Sequence, residues 1–215
     1  MDQAERVMKD LWYGDKRDLV KWGTLVELAR RSNSKHILQV VYYDATKWGR
    51  ISIDSESVQI PDEVIRHFRD VDSICSLKCD VDIEALKDRF SHKDRGDYLR
   101  QITSAIHKRT ERPGIVFLDP DTGLEPEGQR LKSRHICKAG PKHVCELEVA
   151  KIWEALSAED LLVLYQHQDN RAGNEWKDRK RRQFAKALGV SDSEVKIAFA
   201  EEVANDVAFY FVKKH

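Results

Sequence analysis

The sequence has few cysteines, no long apolar run and no net charge. Its 4 cysteines in 215 residues are too few for a disulfide-dense scaffold, so they are expected to be free thiols. No apolar run approaches the ~20 residues of a membrane-spanning helix, and the polar start does not resemble a signal peptide. Lys+Arg (37) balance Asp+Glu (37), so attraction for nucleic acid has to come from a local patch. We therefore expect a cytoplasmic protein that makes no membrane contact.

A glycine-rich turn is also missing where many Rossmann-like proteins hold a cofactor. The predicted first strand, residues 36–43, leads into residues 44–50, whose single glycine is Gly49. One glycine is not enough for the dinucleotide-binding fingerprint or for a phosphate-binding loop. The standard glycine-dependent cofactor sites are therefore not predicted.

The most informative stretch that is present runs from Gly114 to Gly128. Residues 115–118 predict a buried strand, which ends at Asp119 and Asp121. The carboxyl ends of the strands form the ligand crevice of an open α/β sheet, so these carboxylates are placed to meet a ligand, a metal or a substrate donor group. An alternative is purely structural, because Asp-Pro-Asp-Thr-Gly is also good turn chemistry.

The alternation of helical and strand-like segments predicts one α/β domain over residues 1–215. We expect a Rossmann-like three-layer sandwich, with a mostly parallel sheet, an antiparallel C-terminal strand pair and the N-terminal helical segment 1–32 packed on it. The main helices are predicted at 18–31, 96–109, 146–156 and 176–188, and the strands at 36–43, 115–118, 161–168, 195–200 and 207–212.

Several less regular segments also carry predictions. A hairpin is expected from residues 51–60, a strand at 73–79 and a helix at 83–90. Helices are also expected at 2–12 and 62–69, and a polar loop at 125–142 is placed over the acidic strand end, where it would act as a lid. Within the 18–31 helix, Lys21 is expected to pair with Asp18.

Four short segments together resemble a family of uncharacterised bacterial hypothetical proteins. They are GDKRDLVK at 14–21, FLDPDTGLE at 117–125, KHV at 142–144 and YQH at 165–167. These match the family patterns GDxxDxxK, FLDPD(N/T)GLE, K(Y)V and YxH, with histidine at 143 where the family has tyrosine. The resemblance implies no particular activity.

The Asp119 segment also resembles the Asp-Pro-Pro-aromatic motif of class I amino-methyltransferases, and the predicted strand order is similar to theirs. That resemblance implies S-adenosylmethionine as cofactor, a nucleic acid or nucleotide-like substrate, and an Asp that accepts hydrogen bonds from the target amine. The chain departs from the motif at Asp121 and Thr122. On this interpretation the candidate catalytic residues are Asp119, Asp121, His167 and Lys21, and the candidate substrate-binding residues are Asp15, Asp18, Glu125 and Tyr165.

Two other classes of function stay open. Asp119, Asp121 and Glu125, with His167 and Asp169, offer the oxygen and imidazole ligands of a Mg²⁺- or Mn²⁺-dependent nuclease or phosphohydrolase. A non-catalytic interaction module is the third possibility. A direct contact between His167 and Asp119 on neighbouring strands is the prediction that would favour catalysis over a buried structural histidine.

Two further segments carry weaker signals. Histidines and cysteines at 135–145 are sufficient in number for zinc, although their spacing matches no known zinc module. The basic helix predicted at 176–188 is usually a solvated face, but it would favour a nucleic-acid partner if it flanked the acidic strand ends. The oligomeric state is not predicted.

Overall fold

A six-stranded sheet with helices on both faces forms the centre of the structure, which is a computed structural model. The structure describes residues 16–42, 50–53, 56–59, 75, 77, 79–86, 90, 94–127, 142–168 and 175–215. The helices predicted at 2–12 and 62–69, Asp15, Asp169 and most of the predicted lid lie outside these residues.

The helices and strands follow the alternation that the sequence predicts. The helices are α1 (Lys16–Ser32), α2 (Arg95–Lys108), α3 (Glu146–Ala155) and α4 (Trp176–Leu188). The strands are β1 (His36–Val41), β2 (Arg50–Ile53), β3 (Glu56–Gln59), β4 (Asp82–Leu86), β5 (Gly114–Asp119), β6 (Gly123–Leu124), β7 (His143–Val144), β8 (Leu161–His167), β9 (Lys196–Ala200) and β10 (Ala204–Lys213). The expected hairpin is confirmed, because β2 and β3 pair antiparallel.

The main sheet has the strand order β4-β1-β5-β8-β10-β9. The first four strands are parallel, and β10 runs antiparallel to both β8 and β9. This confirms the predicted α/β Rossmann-like fold, a mostly parallel sheet that ends in an antiparallel C-terminal pair. The last strand of the chain lies inside the sheet, between β8 and β9, rather than at its edge.

One prediction near the edge of the sheet is wrong. Residues 82–86 form the edge strand β4 instead of the start of a helix at 83–90. Asp82 and Glu84 are exposed while Ile83 is buried, and this short alternation agrees with a half-covered strand paired to β1. The segment 73–79, predicted as a strand, lies largely outside the described residues.

Two separate apolar cores cover the two faces of the sheet. On one face, α2, α3 and α4 pack against β1, β5 and β8 through side chains such as Ile102, Ile152 and Phe184. On the other face, α1 packs against the same strands, with Trp22 edge-on to Phe117 at a ring-centroid distance of 6.3 Å. The central strands are covered on both sides, which explains their continuous apolar sequences.

The chain reverses direction across the sheet between β1 and β5. After β1 it moves outward to β4, and it then returns to the other side of β1 as β5. Val41 and Asp119 are register partners at the carboxyl ends of these two strands. Ligands bind at such switch points in open α/β sheets, so this is where the functional site is expected.

A buried carboxylate secures the opposite, amino-terminal edge of the sheet. Asp160 is fully buried and accepts hydrogen bonds from Arg109 (2.7 Å), Arg112 (2.9 Å) and the backbone N–H groups of Gly114 (2.9 Å) and Ser157 (3.1 Å). It therefore joins the start of β5 to the turn that precedes β8.

Replacing this carboxylate is expected to destabilise the protein strongly. Asp160→Asn leaves the buried Arg109 guanidinium without its anionic partner, so the free energy of unfolding should fall by about 3–5 kcal/mol. Urea denaturation measures the change. The exposed substitution Asp192→Asn is the control, expected within about 0.5 kcal/mol of wild type. Equal effects of the two substitutions would contradict the structural role of Asp160.

Candidate functional site

Asp119 is the last residue of β5, and its carboxylate is 1% exposed. One oxygen, Oδ2, accepts hydrogen bonds from Lys21 Nζ at 3.0 Å and from Gln39 Nε2 at 2.7 Å. Lys21 comes from α1, whereas Gln39 comes from β1. The site therefore joins a helix and two neighbouring strands through a single oxygen atom.

The ion pair between Lys21 and Asp119 is electrostatically coupled to its surroundings. Burial raises the pKa of Asp119, and the Lys21 ammonium and the Gln39 amide limit that rise. Burial opposes the charge of Lys21, but the Asp119 and Asp18 carboxylates outweigh it and raise its pKa. Lys21 therefore stays protonated throughout the physiological pH range, and it favours the anionic form of Asp119.

Two further predicted residues surround the Lys21 ammonium. Asp18 Oδ1 lies 3.0 Å from Nζ, which confirms the expected Lys21–Asp18 pair one turn apart on α1. The ring of Tyr165 lies beneath Nζ, with its centroid 5.2 Å away, and the ring is itself buried. Both residues therefore hold the Lys21 ammonium in place. Direct contact of either with a substrate stays a prediction.

Several buried polar atoms at this edge of the sheet have no hydrogen-bond partner among the residues that the structure describes. On the α1 face they are two acceptor oxygens, Oδ1 of Asp119 and Oε1 of Gln39. On the other face they are the hydroxyl of Tyr42 and the Nη1 group of Arg95, at the end of β1 and the start of α2. A buried polar group without a partner costs about 1–3 kcal/mol of folding free energy, so each of these four groups is available for a further hydrogen bond.

The turn after Asp119 is shaped by a contact between a glycine and an amide side chain. Gly123 has φ +115°, and a Cβ atom there would lie 2.3 Å from Oε1 of Gln166. Gln166 is fully buried, accepts from the backbone N–H of Leu124 at 2.9 Å and donates to the carbonyl of Thr122 at 3.0 Å. Only glycine permits both the backbone conformation and this approach.

Asp121 occupies a different environment from Asp119. Its carboxylate is 30% exposed and lies 3.7 Å from Lys142 Nζ. Burial raises the pKa of Asp121, and the Lys142 ammonium, with a smaller contribution from His167, limits the rise. Asp121 and His167 are therefore close enough to interact electrostatically at the rim of the site.

The expected direct contact between His167 and Asp119 is wrong. Nε2 of His167 lies 3.2 Å from Oδ2 of Asp206, a residue that sequence reasoning did not identify, and Nδ1 lies 3.1 Å from the carbonyl oxygen of Gln168. Arg17 donates to the same Asp206 oxygen from Nε at 3.1 Å and from Nη2 at 2.5 Å. His167 pairs along β10 because Val207, next to Asp206, is its register partner.

The arrangement around Asp206 favours an orienting role for His167. Burial opposes the charge of Asp206, but the Arg17 guanidinium and His167 outweigh it and lower its pKa. Both imidazole nitrogens face hydrogen-bond acceptors, and these contacts fix the orientation of the ring. Proton acceptance by His167 stays a prediction.

The side chain of Glu125 bonds to the start of α3. Its Oε1 accepts from the backbone N–H of Glu146, the first residue of α3, at 2.9 Å. Its carbonyl oxygen accepts from Lys180 Nζ at 3.0 Å and from Gln183 Nε2 at 2.8 Å. Glu125 therefore links the acidic turn to α3 and α4. Substrate binding by its side chain stays a prediction.

A second buried ion pair supports the same turn from the α2 side. Arg95 donates to both oxygens of Glu148, from Nε at 2.7 Å and from Nη2 at 2.6 Å, and Nη2 also reaches the carbonyl of His143 at 2.7 Å. Strand β7 in turn pairs with β6, next to Gly123. Burial and the nearby Lys180 ammonium lower the pKa of His143 from 6.5 to about 4.

The structure also bears on the metal alternatives. Within the described ranges, no group of three or more His, Cys, Asp or Glu is arranged to hold a metal ion. Asp119 and Asp121 have different partners, and Glu125 is turned toward α3.

Cys145 is disulfide-bonded, against the expectation of thiols, whereas Cys75 and Cys79 are free. The described part of the chain contains no helix long and apolar enough to cross a membrane.

Comparison with known proteins gives only distant structural similarity. No family model and no curated protein matches the chain. A DUF574 family protein from Streptomyces avermitilis matches with a TM-score of 0.41 and 9% identity, over 93% of this chain and 82% of its own. A candidate methyltransferase from Thermobifida fusca matches with a TM-score of 0.39 and 12% identity, over 93% and 80%. The strand order β4-β1-β5-β8-β10-β9 defines the fold independently of this distant similarity.

Removing the Lys21 charge tests the buried ion pair. Lys21→Met leaves the Asp119 carboxylate buried without its counter-ion and should lower the free energy of unfolding by about 3–5 kcal/mol. Adding Asp119→Asn removes the stranded charge, so the double variant should lose less than the sum of the single losses. Lys16→Met, exposed on the same helix, is the control. Additive losses in chemical denaturation would show that the two groups are not coupled.

The lowered pKa of His143 predicts a specific loss of stability in acid. Because the folded protein binds this proton less readily than the unfolded chain, the contribution is complete above pH 6.5 and is lost as the pH falls toward about 4. After allowance for partial exposure the loss is about 2 kcal/mol. His143→Gln should therefore lose less stability than wild type between neutral pH and pH 4 in denaturation curves. Identical acid-induced losses would contradict a lowered pKa.

Proposed function

We propose that this protein is a methyltransferase-like enzyme that uses S-adenosylmethionine and acts on nucleic acid or a nucleotide-like substrate. The main supporting observation is the position of Asp119 at the carboxyl end of a central strand, beside the switch point of the sheet. Lys21 and Gln39 hold one carboxylate oxygen, and the other has no partner in the described part of the chain. An acceptor oxygen held in this way is suited to bind a group that carries N–H donors.

The unpaired atoms at the switch point fit the chemistry of this cofactor and a target amine. Oδ1 of Asp119 and Oε1 of Gln39 are acceptors, suited to an amino or ammonium group. Nη1 of Arg95 is a donor, and the Tyr42 hydroxyl can donate or accept, so the two suit acceptors such as a carboxylate or a ring nitrogen. S-Adenosylmethionine carries groups of both kinds. The fit depends on these side chains alone and needs no glycine-rich turn.

The residues of the chain have distinct roles in the proposed reaction. Bound S-adenosylmethionine would supply an electrophilic methyl group. Asp119 would accept a hydrogen bond from the target amine through Oδ1 and so orient the nitrogen lone pair. Burial raises the pKa of Asp119, which makes its carboxylate a better acceptor for the proton that the nitrogen releases.

Other predicted residues support Asp119 in this proposal. Lys21 fixes the carboxylate and keeps it anionic before the substrate binds, while Asp18 and Tyr165 hold Lys21. Asp121 and His167 would contact the substrate at the more exposed rim, with Asp206 orienting His167. Asp206 would thus act as a positioning residue.

Titration calorimetry with S-adenosylmethionine and, separately, with Mn²⁺ tests the proposal. We expect wild type to bind S-adenosylmethionine without any requirement for metal, and Asp119→Asn, whose Oδ1 serves the target amine in this proposal, to bind the cofactor with unchanged affinity. Mn²⁺ binding that Asp119→Asn abolishes would instead support a metal-dependent nuclease. Failure to bind either ligand would contradict both enzymes and favour an interaction module.

Tyr42→Phe provides a second variant that separates binding from folding. It removes only an unpaired buried hydroxyl, so stability should be unchanged or higher. Its affinity for S-adenosylmethionine should nevertheless fall several-fold if the hydroxyl faces the ligand. Unchanged affinity in Tyr42→Phe would place the cofactor away from this hydroxyl.

A further inference from the structure

Helix α4 carries an unusual charge for its position in the fold. Its sequence, WKDRKRRQFAKAL, contains six Lys or Arg residues and one Asp. Several of these cations lie in the first turns, where the partial positive charge at a helix N-terminus opposes them. Arg182 and Lys186 are like charges four residues apart, which also destabilises a helix slightly. The helix therefore tolerates an electrostatic cost within the folded chain.

Two of these cations are not used inside the protein. Arg182 and Lys186 are exposed on the outer side of α4, and neither side chain has a hydrogen bond or ion pair with the residues that the structure describes. By contrast, Lys177 pairs with Glu201 and Arg181 with Asp178. The outer side of α4 thus offers two cations about 6 Å apart along the helix.

The buried side of the same helix is attached to the candidate site. Lys180 is 2% exposed, and its Nζ donates to the carbonyls of Leu124 and Glu125 at 3.2 and 3.0 Å. Gln183 also donates to the Glu125 carbonyl. The basic helix is therefore joined, through Lys180 and Gln183, to the turn that follows Asp119.

We propose that the outer side of α4, through Arg182 and Lys186, binds the phosphate backbone of a nucleic acid whose reacting base lies at the Asp119 edge. This inference rests on the proposed function and narrows its substrate to a polynucleotide. A lipid surface fits the helix less well, because the apolar side chains of Trp176, Phe184 and Leu188 are buried in the core and cannot enter a bilayer.

Nearby, Phe199 is 46% exposed, with the Lys177 ammonium 4.0 Å from its ring centroid, and such a ring can stack on a base.

Fluorescence anisotropy with a labelled single-stranded oligonucleotide at several salt concentrations tests this surface. We expect wild type to bind more weakly as salt rises, because phosphate contacts release counterions. The double variant Arg182→Ala with Lys186→Ala should bind several-fold more weakly at low salt. It should also reduce the slope of log K against log salt by about 1.4, because each of the two lost phosphate contacts contributes ~0.7 on a single strand. The control is Lys35→Ala with Lys108→Ala, which removes the same charge at exposed positions outside α4.

Three outcomes would overturn the inference. They are no oligonucleotide binding at low salt, equal effects of the two double variants, or binding to vesicles of phosphatidylserine and phosphatidylcholine instead of the oligonucleotide. Calorimetry with S-adenosylmethionine on the same preparations keeps the two proposals separate. Oligonucleotide binding without cofactor binding would refute the methyltransferase and retain the surface, whereas cofactor binding without oligonucleotide binding would do the reverse.

Discussion

The ion pair between Lys21 and Asp119 is the interaction on which the candidate site depends. It crosses 98 positions of sequence and joins α1 to β5 at the switch point. Removing water from two charges is costly, and the attraction between them compensates only with good geometry and additional hydrogen bonds. Asp18 and Gln39 supply those bonds, so the pair positions α1 on the sheet and holds the Asp119 carboxylate in one orientation.

The two edges of the sheet use buried carboxylates in opposite ways. At the amino-terminal edge, Asp160 has both oxygens bonded and is a structural link. At the carboxyl edge, Asp119 has one oxygen bonded and one that no described residue contacts. Arg109 and His36 also carry buried nitrogen atoms without a partner among the described residues, so the contrast lies between the two carboxylates and not between the two edges. A ligand role for Asp119 stays part of the proposal.

Sequence reasoning succeeded where local pattern decides the structure. The apolar runs of β1, β5 and β8 follow from burial on both faces, and Gly189, at φ 69°, ends α4 as a C-cap glycine should. The strand β4 was wrongly predicted as a helix, because its five-residue alternation resembles part of one. The role of Asp206 was missed, because its contact with Arg17 spans 189 positions of sequence. The partner of His167 depends on the register of β10, and nothing in a single sequence specifies that register.

The contact between Gly123 and Gln166 constrains which related sequences can share this site. A side chain at 123 would need the space that the Gln166 amide occupies, so the two positions cannot vary independently. A relative with another residue at 123 is expected to carry a shorter side chain at 166 and a different turn after the aspartate. In a search for relatives, this pair of positions would identify shared geometry more reliably than the aspartates alone.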